Sequence, residues 1–398
     1  MAPVPTRLFL LSLASIALIG PLTVHLFLPV IPAVKAALDL PDALAQLAFS
    51  ISLFGMAFAT LVYGTLSDRY GRRPVLLSGL CLFLIGSVIA AASASISTLI
   101  LGRLIQAIGA GCGITLVRAI ARDSFGPERL VKAIAYLTMF YTLGPMIAPV
   151  VGGILVDTLG WRSVFGFALI AAATIATGAY FAIYETRPVV AADRKETGIL
   201  GGYLELFAHP RFTAFVLQSG FSTGAFITVA SASSTLMKEY LHRPATEFGL
   251  YFMVFPVGFF CGNFISTRLS GRATAEKMVL AGSTLLLITI LIQAAFLLSG
   301  HVTPLTIFAP AFFITLAQGI ALPFGQADAI ATVPRLAGTA SGIGVFIQNF
   351  CGASFAQIYG VLADGTPGPM MATATASAIL CLIVGALPYL LARGQSVN

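Results

Sequence analysis

Three ionisable side chains stand inside long apolar runs of this chain: His25, Arg103 and Asp328. A charge at bilayer depth costs ~2.5–3.5 kcal/mol even on a lenient insertion scale, so each is expected to face an interior and to have a partner. Arg103 has Gln106 and Gln46 as polar candidates; alternatively it is a structural arginine that bonds backbone carbonyls. Imidazole titrates near neutral pH, so His25 is either a proton carrier or a neutral hydrogen-bonding group. Asp328 is either a second titrating site or the ion-pair partner of Arg335 or another basic group. Gln348, Asn349 and Tyr136 add polar groups within apolar runs, and such groups usually face a bundle interior.

A second constellation is Gly64-Thr-Leu-Ser-Asp68-Arg69-Tyr-Gly71-Arg72-Arg73, a short charged stretch between two apolar runs. It cannot lie in lipid and reads as a loop on one membrane face. Asp68 can pair with Arg72, and Asp123, further on, can close a cluster with them. A third is Gly144-Pro145, with Pro149 and Gly152-Gly153: two prolines that bend a helix and three glycines that permit close packing.

Enzyme chemistry finds no support. No GxxxxGK[ST] loop occurs, and the five cysteines lie in apolar runs without metal or disulfide spacing, so no metal and no cofactor is expected. The net charge of +7 comes from basic residues scattered through short loops, which argues against a nucleic-acid partner.

The elements that must position these groups follow from composition. Hydrophobic residues make up 58% of the 398 and charged ones only 9%, against ~25% charged in a soluble domain. The apolar runs have helix length and no period-two alternation, so they read as spanning helices and not as barrel strands. The first run, Leu8 to Leu28, is too long for a signal-peptide core and reads as a retained span. Twelve spans are expected, at 8–33, 44–66, 75–94, 98–120, 132–156, 162–183, 211–236, 246–267, 277–299, 303–330, 339–362 and 370–391. Span ten contains Pro310 and Pro323 and is expected to bend or to leave the hydrocarbon in part. The fold class is all-α: a polytopic membrane protein with two pseudo-symmetric six-helix halves, 1–185 and 211–398, joined by a cytoplasmic linker at 186–210. Gly262-Asn263, Arg268, Gly271 and Arg272 after span eight weakly echo Gly64, Asp68, Gly71 and Arg72 after span two, as parallel repeats would. Of the 22 Lys and Arg, only Lys35, Arg162, Lys238 and Arg243 fall on the face opposite the N-terminus, and Arg103 is within a span. The positive-inside rule then puts both termini in the cytoplasm.

These motifs resemble those of the major facilitator superfamily. Gly64 to Arg73 matches its loop 2–3 signature, Arg103-x-x-Gln106-x-x-Gly109 the span-four motif of its drug:proton antiporters, and Gly144 to Gly153 the span-five antiporter motif. Leu28-Pro29-Val30-Ile31-Pro32 and Ala337-Gly338-Thr339-Ala340-Ser341-Gly342 look most like the Bcr/CflA branch. The resemblance covers essentially the whole chain. It implies a monomeric, proton-coupled exporter of small amphipathic drugs or toxic compounds in a bacterial inner membrane, working by alternating access. Asp68, Arg72 and Asp123, with Gly64 and Gly71, would form a cytoplasmic latch facing the start of span eleven. Relatives in this branch carry an acid in span one where this chain has Val24-His25-Leu26-Phe27-Leu28-Pro29. With that carboxylate absent and Arg103 in the first half, the small-molecule substrate is expected to be neutral or anionic. Two other readings stay open: export of an endogenous metabolite such as an amino acid, sugar or siderophore, and a receptor or sensor that does not turn over.

Overall fold

The computed structural model describes residues 6–125, 127–187 and 199–395. It is 89% helical, and no strand occurs among the described residues. Among the described residues, twelve helical segments are long and apolar enough to cross a membrane. In order they are Arg7–Leu38, Asp42–Tyr70, Arg72–Ala91, Ile96–Ser124, Lys132–Leu159, Arg162–Ala182, Pro210–Tyr240, Ala245–Leu269, Ala275–Leu298, Pro304–Thr332, Pro334–Leu362 and Pro367–Leu391. They are called spans one to twelve below.

Several spans begin where the local sequence supplies a cap. Thr6 accepts from the Phe9 amide, Ser95 from Thr98, and Thr303 forms a reciprocal capping box with Thr306. Span one runs five residues past the expected 33, in pieces: Arg7–Ala17, Ile19–His25, a 3-10 turn at Leu28–Val30, and Ile31–Leu38. Pro21, Pro29 and Pro32 remove three backbone donors there, which explains the interruptions. Span ten, by contrast, is one helix from Pro304 to Thr332 through both Pro310 and Pro323.

The chain forms two compact units, Met1–Arg194 with Pro244–Leu250, and Lys195–Arg243 with Tyr251–Asn398. Of the expected linker, 188–198, with Arg194 and Lys195, lie outside the described residues. Its remainder is not extended: Ile199–Phe207 is a helix whose Leu206 is buried in a cluster with Phe212, Phe215, Val279 and Ile343 of the second unit.

Within the first unit, spans three and four meet along a glycine seam. A Cβ on Gly86 would lie 2.2 Å from the Gln106 nitrogen, and one on Gly109 2.4 Å from the Phe83 nitrogen. Between apolar helices in lipid there is no hydrophobic drive to associate, so such backbone approach is what packs them. In the second unit Gly258 and Gly262 do the same against span ten, each with a would-be Cβ 2.2 Å from a carbonyl oxygen, of Phe312 and Leu316. These seams fix the two helices that carry Arg103 and Gln318.

Candidate functional site

Arg103 is among the largest fully buried side chains, at 2% exposure. Its Nη2 donates to the Thr23 carbonyl at 3.0 Å, its Nε to the Ala48 carbonyl at 3.3 Å, and its Nη1 to Gln106 Oε1 at 2.6 Å. The guanidinium also lies over the Phe27 ring, 4.2 Å from the centroid. The helix of span one ends at His25, so its last carbonyls lack intrahelical partners, and a cation at a helix C-terminus is favourable. Gln106 passes the network on, donating from Nε2 to Ser87 at 2.9 Å. One arginine thereby ties spans one, two and four, with span three reached through Gln106. No acid is among its partners in the described residues. Two of its three acceptors are thus backbone carbonyls. Gln46, the other polar candidate, is buried but is not among the hydrogen-bond partners of Arg103; its Nε2 has no hydrogen-bond partner among the described residues.

His25 is half-buried at the last position of the helix Ile19–His25. Its neighbours on either side are engaged: Val24 is buried, and the Leu26 carbonyl lies 2.6 Å from where a Gly152 Cβ would be. The span-five motif explains this approach. Gly144 meets Pro21, with a would-be Cβ 2.4 Å away, and Gly152 meets Leu26 and Pro29. Pro145 and Pro149 sit inside an unbroken helix, Pro127–Leu159, which starts earlier than the expected 132. Gly144 and Gly152 therefore seat span five on the broken span one, while Gly153 faces the Ala245 carbonyl instead. Tyr136, on the same span, packs against Phe140 with ring centroids 4.9 Å apart and planes tilted by 45°.

The charged stretch after span two forms a cluster around Arg72. Its Nε donates to Asp123 at 2.9 Å, and its Nη1 meets Asp68 at 2.6 Å and Ser67 Oγ at 2.6 Å. The Arg72 and Asp123 side chains are each 6% exposed, whereas Asp68 is 67% exposed. Gly71 ends span two with φ +99, a conformation that favours glycine. Gly64 has open space around it and makes no close contact. A residue absent from the expected set completes the cluster. Glu185, just beyond span six, accepts from the backbone nitrogens of Arg72 at 2.8 Å, Arg73 at 3.2 Å, Thr186 at 3.1 Å and Arg187 at 2.9 Å. Partial burial pulls its carboxyl upward, but these N–H donors outweigh that and hold it below the usual carboxylate range. In the sequence it is the first acid after span six; only the folded backbone brings it to the start of span three.

The echo after span eight shares a turn but not a cluster. Gly271 also has a positive φ, of +76, yet nothing lies within 4 Å of its would-be Cβ. Arg268 stands where the first loop has Asp68, so no equivalent pair can form.

In the second unit Asp328 pairs with Arg211 at 3.0 Å, and Glu276 reaches the same Nη2 at 2.5 Å. Arg335 pairs with Glu205 instead. Gln348 donates to Ser219 at 3.4 Å and Gln318 to Thr223 at 3.3 Å, so spans ten and eleven both reach hydroxyls of span seven. Asn349 is turned to its own helix and bonds the Val345 carbonyl at 2.9 Å. Among the described residues no cluster of His, Cys, Asp and Glu could hold a metal.

The model of the Major Facilitator Superfamily matches residues 13–356 of the chain. The bicyclomycin resistance protein homolog of Haemophilus influenzae is 25% identical over 394 residues, covering 96% of each chain. Multidrug resistance protein D of Escherichia coli K12 is 26% identical over 378 residues, covering 94% of each. Among solved structures, an inward-facing, unoccupied bacterial homologue of the human lysosomal transporter Spinster superposes with a TM-score of 0.78 at 18% identity, covering 97% of this chain and 96% of that one.

Proposed function

The chain belongs to the Major Facilitator Superfamily, and on that premise we propose that it is a proton-coupled exporter of small amphipathic compounds, including drugs. The observation that carries this reading is the end-to-end match to two proteins named for resistance to bicyclomycin and to multiple drugs. It acts as a transporter and not as an enzyme, in a membrane that it crosses many times. Alternating access is the family's way of moving such a cargo, and the proton gradient supplies the drive.

The finer reading adds four points. Both termini lie in the cytoplasm of a bacterial cell, since the basic residues gather on that face of the inner membrane. The protein works as a monomer. Asp68, Arg72 and Asp123 act as a cytoplasmic latch, supported by the buried Arg72–Asp123 pair with Asp68 left at the rim. The substrate is neutral or anionic, supported by a span one that carries His25 and no acid. Gln318 and Gln348 offer amide groups to a hydrogen-bonding cargo, and His25 carries the proton.

Efflux from proteoliposomes, with and without an imposed pH gradient, tests this. A panel of neutral, anionic and cationic amphiphiles is expected to show gradient-dependent movement of the first two classes. Export confined to cationic dyes overturns the charge assignment, and binding without transport overturns the exporter reading.

A further inference from the structure

Span eight does not begin as one helix. Its leading helix is Ala245–Phe252, a break falls at Met253, and the main helix runs Val254–Leu269. Pro256 brings no amide to the turn after the break, so the Phe252 carbonyl loses its usual i+4 donor there. The leading segment, Pro244–Leu250, groups with the first unit, although the rest of span eight belongs to the second.

What holds that segment is one carboxylate of span five. Asp157 Oδ1 accepts from the Ala245 nitrogen at 3.1 Å. Its Oδ2 accepts from the Thr246 nitrogen and from Thr246 Oγ1, both at 2.7 Å. These amides open a helix and have no intrahelical acceptor, so an anion there is the favourable partner. No basic side chain pairs with Asp157 among the described residues. Below it the backbones nearly touch: a Cβ on Gly153 would lie 2.4 Å from the Ala245 oxygen, and one on Gly249 2.5 Å from the Pro149 oxygen. The approach is close, and Asp157 adds charge-assisted bonds to it.

The connector that leads into the segment is strained. Span seven ends in a π-helical turn, Leu236–Tyr240, a form that is rare and concentrates at functional sites. His242 follows with φ +54, the left-handed region that costs a non-glycine residue energy and persists only where surrounding contacts impose it. The Arg243 amide bonds back to the Met237 carbonyl at 2.8 Å, closing the turn. A strained connector on one side and a helix break on the other bracket a segment whose first two amides are held by an exposed acid.

We propose that Asp157 is an outer clasp for the transport cycle: a gating residue that holds the leading helix of span eight to span five and must release Ala245 and Thr246 for the outer side to open. Met253 and the 236–243 connector are where the chain yields. The role in a cycle rests on the exporter reading; the clasp itself rests on geometry alone.

The test labels the full-length protein, in proteoliposomes of known orientation, from outside with a membrane-impermeant maleimide. The reporter is Ala245→Cys, a small change at a side chain 8% exposed, read against a parent that keeps the five native cysteines. Losing charge-assisted bonds to Asp157 is expected to speed labelling about tenfold in Asp157→Ala and about threefold in Thr246→Val. Asp157→Glu, which keeps the charge, restores part of the slow rate. An unchanged rate in the Ala and Val variants overturns the clasp. Should Asp157→Ala fail to fold, Thr246→Val, which removes one hydroxyl and keeps the shape, decides. Efflux by the unlabelled parent is measured in parallel: its absence overturns the exporter reading while the labelling still decides the clasp. A purely structural Asp157 lowers thermal stability in these variants and leaves the labelling rate where it was.

Discussion

Arg103 Nη2 donates to the main-chain carbonyl of Thr23 at 3.0 Å, so a residue of span four completes the helix end that span one leaves open at His25. This bond links the apparent cost of a buried charge to the apparent defect of a broken helix. Each resolves the other, because a helix C-terminus presents unpaired carbonyls and a guanidinium presents five donors in a fork.

Arg103→Ala is expected to be strongly destabilising. It strips donors from the Thr23 and Ala48 carbonyls and from Gln106, and each buried group left unpaired costs about 1–3 kcal/mol. Arg103→Lys keeps the charge but cannot reach three acceptors in one plane, so only part of the loss returns. Thermal unfolding in detergent checks both. A lysine variant as stable as the parent sinks the three-way tie.

The Arg72 cluster separates stability from function by depth. Asp123→Asn removes the buried charge of the pair and, with Arg72 still held by Asp68 and Ser67, is expected to cost the first unit about 1–3 kcal/mol. Asp68→Asn, at an exposed rim, is expected to change stability by less than about 1 kcal/mol while slowing efflux. Paired measurements of unfolding and transport on the two variants show whether the rim acid is a latch residue. Equal effects on both properties argue against it.

How much of this was legible in the sequence differs by the kind of partner. The pairing of Arg72 with Asp68 and Asp123 is readable because acids at span ends are scarce in so apolar a chain. The partners of Arg103 are half invisible, since Thr23 and Ala48 contribute carbonyls that every residue has, and nothing in a letter marks which carbonyl a proline-interrupted helix leaves free. Asp328 illustrates competition: Arg335 is nearer in sequence, but Glu205 on the short helix Ile199–Phe207 takes it, and Arg211 is left for Asp328. That short helix is itself largely apolar, but it follows the charged run Asp193 to Glu196 and is too short to span, so it reads as part of the linker. Glu185 is hidden in the same way, because what it binds is backbone.

His25→Gln keeps a polar, uncharged side chain at the end of the span-one helix but removes a titrating one. Substrate binding is expected to persist, with gradient-driven efflux reduced at least about tenfold, as befits loss of a proton carrier. Tryptophan-independent ligand binding and proteoliposome efflux, measured on one preparation, distinguish the two. Full retention of pH-driven efflux removes His25 from coupling.

Glu185 predicts a pH dependence whose sign can be worked out. Its carboxyl in the folded protein is held below the usual range, because N–H donors of Arg187, Arg72, Arg73 and Thr186 outweigh partial burial. A depressed folded value means that the unfolded chain binds the proton first as pH falls. The stabilisation is therefore complete above the unfolded carboxylate range near pH ~4.3 and is lost as pH falls from there through the lowered folded value. Glu185→Gln keeps one acceptor and loses the charge, so its melting temperature is expected to lie below that of the parent at pH 7 and to converge with it in acid. Melting curves of both proteins in detergent between neutrality and about pH 3 test this. Parallel curves would mean that the four backbone bonds form without help from the charge, and that the joint between spans three and six is held by Arg73 instead, whose Nη2 donates to the Tyr180 carbonyl at 2.9 Å.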